Sequence, residues 1–200
     1  VIAAAIVLAA TVAPASPPGA PRARFASGEL VVRFRTGTEG ARLATRPAVT
    51  HDPRGTLSPV TDRLSREIGC PLSARRALPG GEVLLTVGGP ALAHRLLSAA
   101  RRDRTLEDAA LEEREVEAGA PERFPSVRAK LRHVAVDTSA LASRLSERLD
   151  LPVRVRSGKG REVRVSVDAD ALMLRVLERL RENPEIESVE PTPVVDGPGG

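Results

Sequence analysis

Glu82-Val83-Leu84-Leu85-Thr86-Val87 and Glu162-Val163-Arg164-Val165-Ser166-Val167 lie 80 positions apart and spell the same strand. In each, three aliphatic residues at alternate positions share one face, the period of a half-buried strand. The likeness extends outward from these two segments. Downstream at the same spacing, Leu97-Ser98-Ala99-Ala100-Arg101-Arg102-Asp103-Arg104-Thr105-Leu106-Glu107 aligns with Leu177-Glu178-Arg179-Leu180-Arg181-Glu182-Asn183-Pro184-Glu185-Ile186-Glu187. Upstream and one residue out of step, Arg63-Leu64-Ser65 and Pro71 align with Arg144-Leu145-Ser146 and Pro152. The blocks keep their order, so the chain carries an internal repeat, and this repeat governs the fold.

The second copy has the clearer pattern. Val127, Ala129 and Leu131 alternate with Arg128, Lys130 and Arg132 as a strand. Asp137-Thr138 supplies an N-cap for a helix striped by Leu141, Leu145 and Leu149. Val153 and Val155 form the next strand, and Gly158-Lys159-Gly160 turns it into Val163, Val165 and Val167. Met173, Val176, Leu177 and Leu180 make one apolar helix face. Asn183-Pro184 stops that helix, and Ile186 to Val189 forms a last strand.

The first copy repeats this grammar. Leu30, Val32 and Phe34 alternate in its opening strand. A polar loop from Thr36 to Thr56 leads to Ser58-Pro59, a cap with proline at the first helical position, and to a stripe of Val60, Leu64 and Ile68. Pro79-Gly80-Gly81 turns into Val83, Leu85 and Val87; Ala93, Leu96, Leu97 and Ala100 give the second helix, and a strand follows from Leu106 to Val116.

Strand, helix, strand, strand, helix, strand is the order of a ferredoxin-like unit, so the fold class is α+β with two tandem βαββαβ domains. The expected organisation is a signal-peptide-like segment at 1–15, a Pro-rich linker at 16–24, a first copy at 25–117 and a second at 122–196, with a flexible tail at 197–200. Ala118-Gly119-Ala120-Pro121 joins two compact units, and Met173, Val176, Leu177 and Leu180 are expected against the second sheet. The segment Val1 to Ala10 is an uncharged apolar run ending near an Ala13-Pro14-Ala15 cleavage-like site, too short to span a bilayer. It implies a secreted or extracytoplasmic protein with no membrane attachment once the segment is removed.

Composition narrows the function classes. Three Phe and no Tyr or Trp leave an aliphatic core and no stacking platform for bases, which disfavours nucleic acid. Arginines are numerous but largely balanced by acids, and the net charge is +4. Cys70 is the only cysteine, and His51, His94 and His133 lack metal-ligand spacing, so neither a metal nor a cofactor is expected. Val134-Ala135-Val136-Asp137-Thr138-Ser139 has a superficial likeness to the strand carrying a subtilase catalytic Asp. No segment supplies the matching His or Ser, and Asp137 is expected to cap a helix. No catalytic residue is assigned, and the chain is not expected to be an enzyme.

The stretch from Leu177 to Pro191, with its helix, Asn183-Pro184, an aliphatic residue and Val189-Glu190, resembles the end of a subtilisin-like serine protease propeptide. Gly28-Glu29-Leu30-Val31-Val32-Arg33-Phe34-Arg35-Thr36-Gly37-Thr38 resembles the opening strand of such prodomains, particularly those of fervidolysin-like proteases. The resemblance implies an inhibitor and intramolecular chaperone of a protease domain, in cis or in trans. Its sheet would dock on the protease, and its tail would occlude the cleft. Carried over by motif position, Glu190, Pro191, Thr192, Pro193, Val194 and Val195 bind the protease, with Glu190 capping one of its helices. Two features depart from the family. Pro191 and Thr192 stand where a second acid is usual, and Arg128, Lys130, Arg154, Arg156 and Arg164 crowd the open face of the second copy. The alternative is a secreted binding module whose arginine-rich sheet holds an acidic partner.

Overall fold

The computed structural model describes residues 28–112, 124–133 and 136–192. The first copy runs β1 (Glu29–Phe34), α1 (Glu39–Ala44), α2 (Ala48–His51), α3 (Pro53–Ile68), β2 (Leu72–Ala77), β3 (Glu82–Val87), α4 (Gly89–Arg102) and β4 (Leu106–Leu111). The second runs β5 (Ser126–Leu131), α5 (Thr138–Leu149), β6 (Val153–Ser157), β7 (Glu162–Val167), α6 (Ala169–Glu182) and β8 (Ile186–Pro191). The fold is α+β, with two four-stranded antiparallel sheets of ferredoxin-like strand order.

The sheets are not assembled copy by copy. The first has the order β2-β3-β1-β8 and the second β4-β5-β7-β6. Each copy thus gives its last strand to the other sheet, and the helix before that strand travels with it. Helix α4 packs on α5 and β5, whereas α6 packs on α3 and β8. This differs from the sequence expectation of self-contained units. Met173, Val176, Leu177 and Leu180 are buried as expected, but on a helix that packs over the first sheet. The segment joining the copies, with Ala118 and Pro121, lies outside the described residues, as do 1–27 and 193–200.

The crossings occur at β3–α4 and β7–α6. Gly88 and Gly89 have φ of 107° and 71°, a left-handed path that favours glycine, and Pro90 then opens the helix. At the equivalent point Asp168 keeps an extended backbone and caps α6, its side chain accepting a hydrogen bond from Ala171 N. The donated arms end alike. Asp103 N bonds Ala100 O and Asn183 N bonds Leu180 O; Leu106 N bonds Asp103 O and Ile186 N bonds Asn183 O.

One hydrophobic cluster runs through both units, from Leu30, Val32 and Phe34 to Met173, Leu180 and Val189. The apolar stripes explain its shape. Val60, Leu64 and Ile68 on α3 and Leu141, Leu145 and Leu149 on α5 are all buried. Both helices stop in left-handed residues, Gly69 and Asp150.

The segment from Thr36 to Thr56 is not a plain loop. Thr38 caps α1, and α3 begins at Pro53 with Asp52 as its cap, accepting from Gly55 N at 2.8 Å. Pro59 therefore lies inside α3 and does not open it. Its ring leaves the Gly55 carbonyl without an amide donor, and Ser58 Oγ donates to that oxygen at 3.2 Å instead.

Candidate functional site

Strand alternation sends one face of each sheet toward its helices and the other outward. On the first sheet the outward set includes Glu29, Val31 and Arg33 of β1, Glu82, Leu84 and Thr86 of β3, and Ser188 and Glu190 of β8. Its centre is uncharged: Val31 lies opposite Leu84, and Leu84 and Thr86 keep only 8% and 2% exposure. Ion pairs flank it, with Arg33 Nη2 2.6 Å from Glu82 Oε1 and Arg75 paired with Glu29.

Glu190 is exposed on this face, in register with Val31. Pro191 ends β8 opposite Leu30. Thr192 continues along β1, its N–H bonding Glu29 O at 3.1 Å, and its buried Oγ1 has no partner among the described residues. The other candidates, Pro193, Val194 and Val195, lie outside the described residues. The chain thus runs off the edge strand of the first sheet.

The second sheet presents a different outward face. Arg128 of β5, Arg164 of β7 and Arg156 of β6 stand in one row across three strands. Like charges directly opposite one another repel. Glu112, at the end of β4, offsets this. Its side chain is 7% exposed and takes hydrogen bonds from Arg164 Nε at 2.9 Å and from Ser126, with Arg128 3.8 Å away. Burial opposes ionisation of Glu112, but the Ser126 and Arg164 hydrogen bonds and the two guanidinium charges outweigh it and hold the carboxyl below its ordinary range. Arg154 pairs with Asp168 at 2.6 Å and Lys130 with Asp108 at 3.0 Å. Of the five cations counted from the sequence on this face, only Arg156 lacks an ion pair among the described residues. Sequence reasoning missed Glu112, because a glutamate at a strand end carries no pattern; its role appears only once β4 is laid beside β5.

A cleft of about 590 Å³ opens where the chain crosses from β3 to α4, lined by Arg54, Arg66, Arg95 and Cys70 among others. Burial pushes the Cys70 thiol up to about 11, so it stays protonated at neutral pH. Asp137 caps α5, accepting from Ser139 N at 2.8 Å, and so fills the role expected of it. No group of three His, Cys, Asp or Glu suited to a metal occurs among the described residues. No helix among them is long and apolar enough to cross a membrane.

No family model, curated protein or solved structure matches the chain.

Proposed function

We propose that this chain is a propeptide-type inhibitor and folding assistant of a secreted subtilisin-like serine protease. It docks through the outer face of the first sheet and lays its C-terminal tail in the active-site cleft. The observation that carries this reading is the attachment of β8 to β1. A docking strand on the second sheet would stand beside the row of Arg128, Arg164 and Arg156, a poor match for a partially apolar protease surface. On the first sheet Glu190 stands instead beside Val31, and the nearby cations Arg33 and Arg75 are each paired with a carboxylate. An extended tail leaving an edge strand suits binding as an added strand in a cleft. The two halves of the resemblance, at Gly28 to Thr38 and at Leu177 to Pro191, also meet here, because β1 and β8 are neighbours.

The test is inhibition of subtilisin-like proteases by the purified chain. The intact chain is expected to slow hydrolysis of a peptide substrate without being a catalyst itself. Deleting Val194 to Gly200 should weaken inhibition while leaving sheet docking measurable by direct binding. Absence of binding to any protease of this class would overturn the reading.

One observation favours a second reading, in which the second sheet holds an acidic partner. Arg156 is the one member of the arginine row without an ion pair among the described residues, and an added carboxylate there would relieve repulsion from Arg164. Retention on a polyanion column, lost in Arg156→Gln but not in Glu190→Ala, would support it.

A further inference from the structure

We infer that the exchange between copies is charge-coded: each half receives the other's helix–strand arm and refuses its own. The inference is independent of the protease reading and rests on positions that the repeat makes equivalent.

In α3 and α5, Leu64 matches Leu145 and Ile68 matches Leu149, so Glu67 and Arg148 occupy the same place. In the arms, Ala100 matches Leu180 and the capping residues Asp103 and Asn183 match, so Ala99 is equivalent to Arg179. The observed contacts join unlike partners. Glu67 accepts from Asn183 Nδ2 at 2.8 Å, and Arg179 donates to the carbonyls of Glu67 and Ile68. Arg148 Nη1 donates to Ala99 O at 3.3 Å, and its charge lies close enough to favour ionised Asp103. Each arm therefore ends against a helix carrying a complementary group.

Folding each arm back onto its own sheet exchanges these partners. Glu67 would then face Asp103, carboxylate against carboxylate, and Arg148 would face Arg179, guanidinium against guanidinium. Arg63 and Arg144 do not discriminate: both are arginine, and they grip Glu185 and the Asp103–Thr105 turn respectively. The apolar faces differ in size, α6 carrying Met173 and Leu180 where α4 carries Ala93 and Ala100, so packing adds to the discrimination that the charges make. Among the polar contacts Glu67 and Arg148 are the pair that separates the two arrangements, and like-charge contact is the usual means of refusing a partner. The same logic disfavours exchange between two identical halves of different chains.

The experiment uses the full chain with Cys70→Ala and three reporter thiols, Val31→Cys, Glu190→Cys and Ala110→Cys. Val31 lies opposite Glu190 in the exchanged fold, while Ala110 lies opposite Arg128 and would face Val31 if its arm returned home. Directly opposed residues on antiparallel strands fall within disulfide reach. Equilibration in a glutathione buffer followed by peptide mapping reads the ratio of the 31–190 to the 31–110 disulfide. With native charges the 31–190 product dominates. In the charge-exchanged chain, Glu67→Arg with Arg148→Glu, the Asn183 hydrogen bond is lost and a second guanidinium is set beside Arg179, the contact with Asp103 becomes repulsive, and both home contacts become attractive, so the ratio falls about tenfold or more. Should that variant fail to fold, the native-charge reporter at about 1 M salt, where screening reaches about 3 Å, serves instead, and its ratio falls several-fold. A ratio unmoved by charge exchange in a folded variant, or unmoved by salt where that variant does not fold, overturns the inference.

Discussion

Glu190 lies across the ladder from Val31, and Ala110 holds the equivalent place across from Arg128. The carboxylate is thus carried on the sheet with the uncharged centre, exposed and beside an aliphatic neighbour. On the proposed function it meets the N-terminus of a protease helix, where free N–H groups and a partial positive charge favour an anion. Such a contact contributes about 0.3–2 kcal/mol, so Glu190→Ala should raise the inhibition constant roughly 2- to 30-fold. Glu187→Ala, three positions earlier on the same strand, is the control. Equal effects of the two changes in folded proteins would remove the helix-capping role.

Exchange of the arms also fixes what a cut between the copies does. Cleavage within residues 113–123 severs the backbone between β4 and β5, yet each sheet still needs a strand from the other fragment. The nicked protein should elute from gel filtration at the mass of the intact chain and keep its circular dichroism, with the fragments separating only in denaturant. Two stable, independently eluting fragments would contradict the exchanged topology.

Glu112 gives the second sheet a pH dependence. Its carboxyl is held below the ordinary range, so its stabilisation is fully present above the unfolded value of about 4.3 and is lost as pH falls through the folded value. Glu112→Gln leaves Arg128, Arg164 and Arg156 in a row without their counter-charge. The change should cost about 1–3 kcal/mol at neutral pH and much less at pH near 3. Urea midpoints of the two proteins at both pH values test this, and a pH-independent difference would assign the loss to packing.

Met173 is fully buried on α6, the helix that packs on α3 and β8. Met173→Ala should destabilise the protein by about 2–5 kcal/mol. Because one cluster runs through both units, thermal unfolding should remain a single transition at a lower midpoint. A lowered first transition with an unchanged second would indicate separable cores.

The strands, the helical stripes and the α+β class are legible in the sequence because burial imposes periods of two and 3.6 on the chain. The start of α3 was legible in principle, since Asp52-Pro53 is as good an opening as Ser58-Pro59; the later proline hid it. The exchange was not legible from those periods. The period of Leu172, Val176 and Leu180 does not say whether their helix lies beside α3 or α5, because Leu92, Leu96 and Ala100 repeat it. What distinguishes the two arrangements is the size of Ala93 and Ala100 against Met173 and Leu180 and, on the inference above, the charges of Glu67 and Arg148 against Asp103 and Arg179, whose meaning depends on which helices meet. Glu112 was hidden for the same reason: its arginines come from strands far along the chain.

The pairing of Phe34 with Ile186 joins residues more than 150 positions apart. A ribosome making about 5–20 residues per second needs on the order of ten seconds to supply the second after the first. Through that interval β1 has β3 on one side and nothing on the other, a bare edge of the kind that invites adventitious pairing. The first sheet, begun earliest, is therefore finished last, and the segment that completes it is the one that leads into the tail. Native structure around β1 thus certifies that translation has passed residue 191.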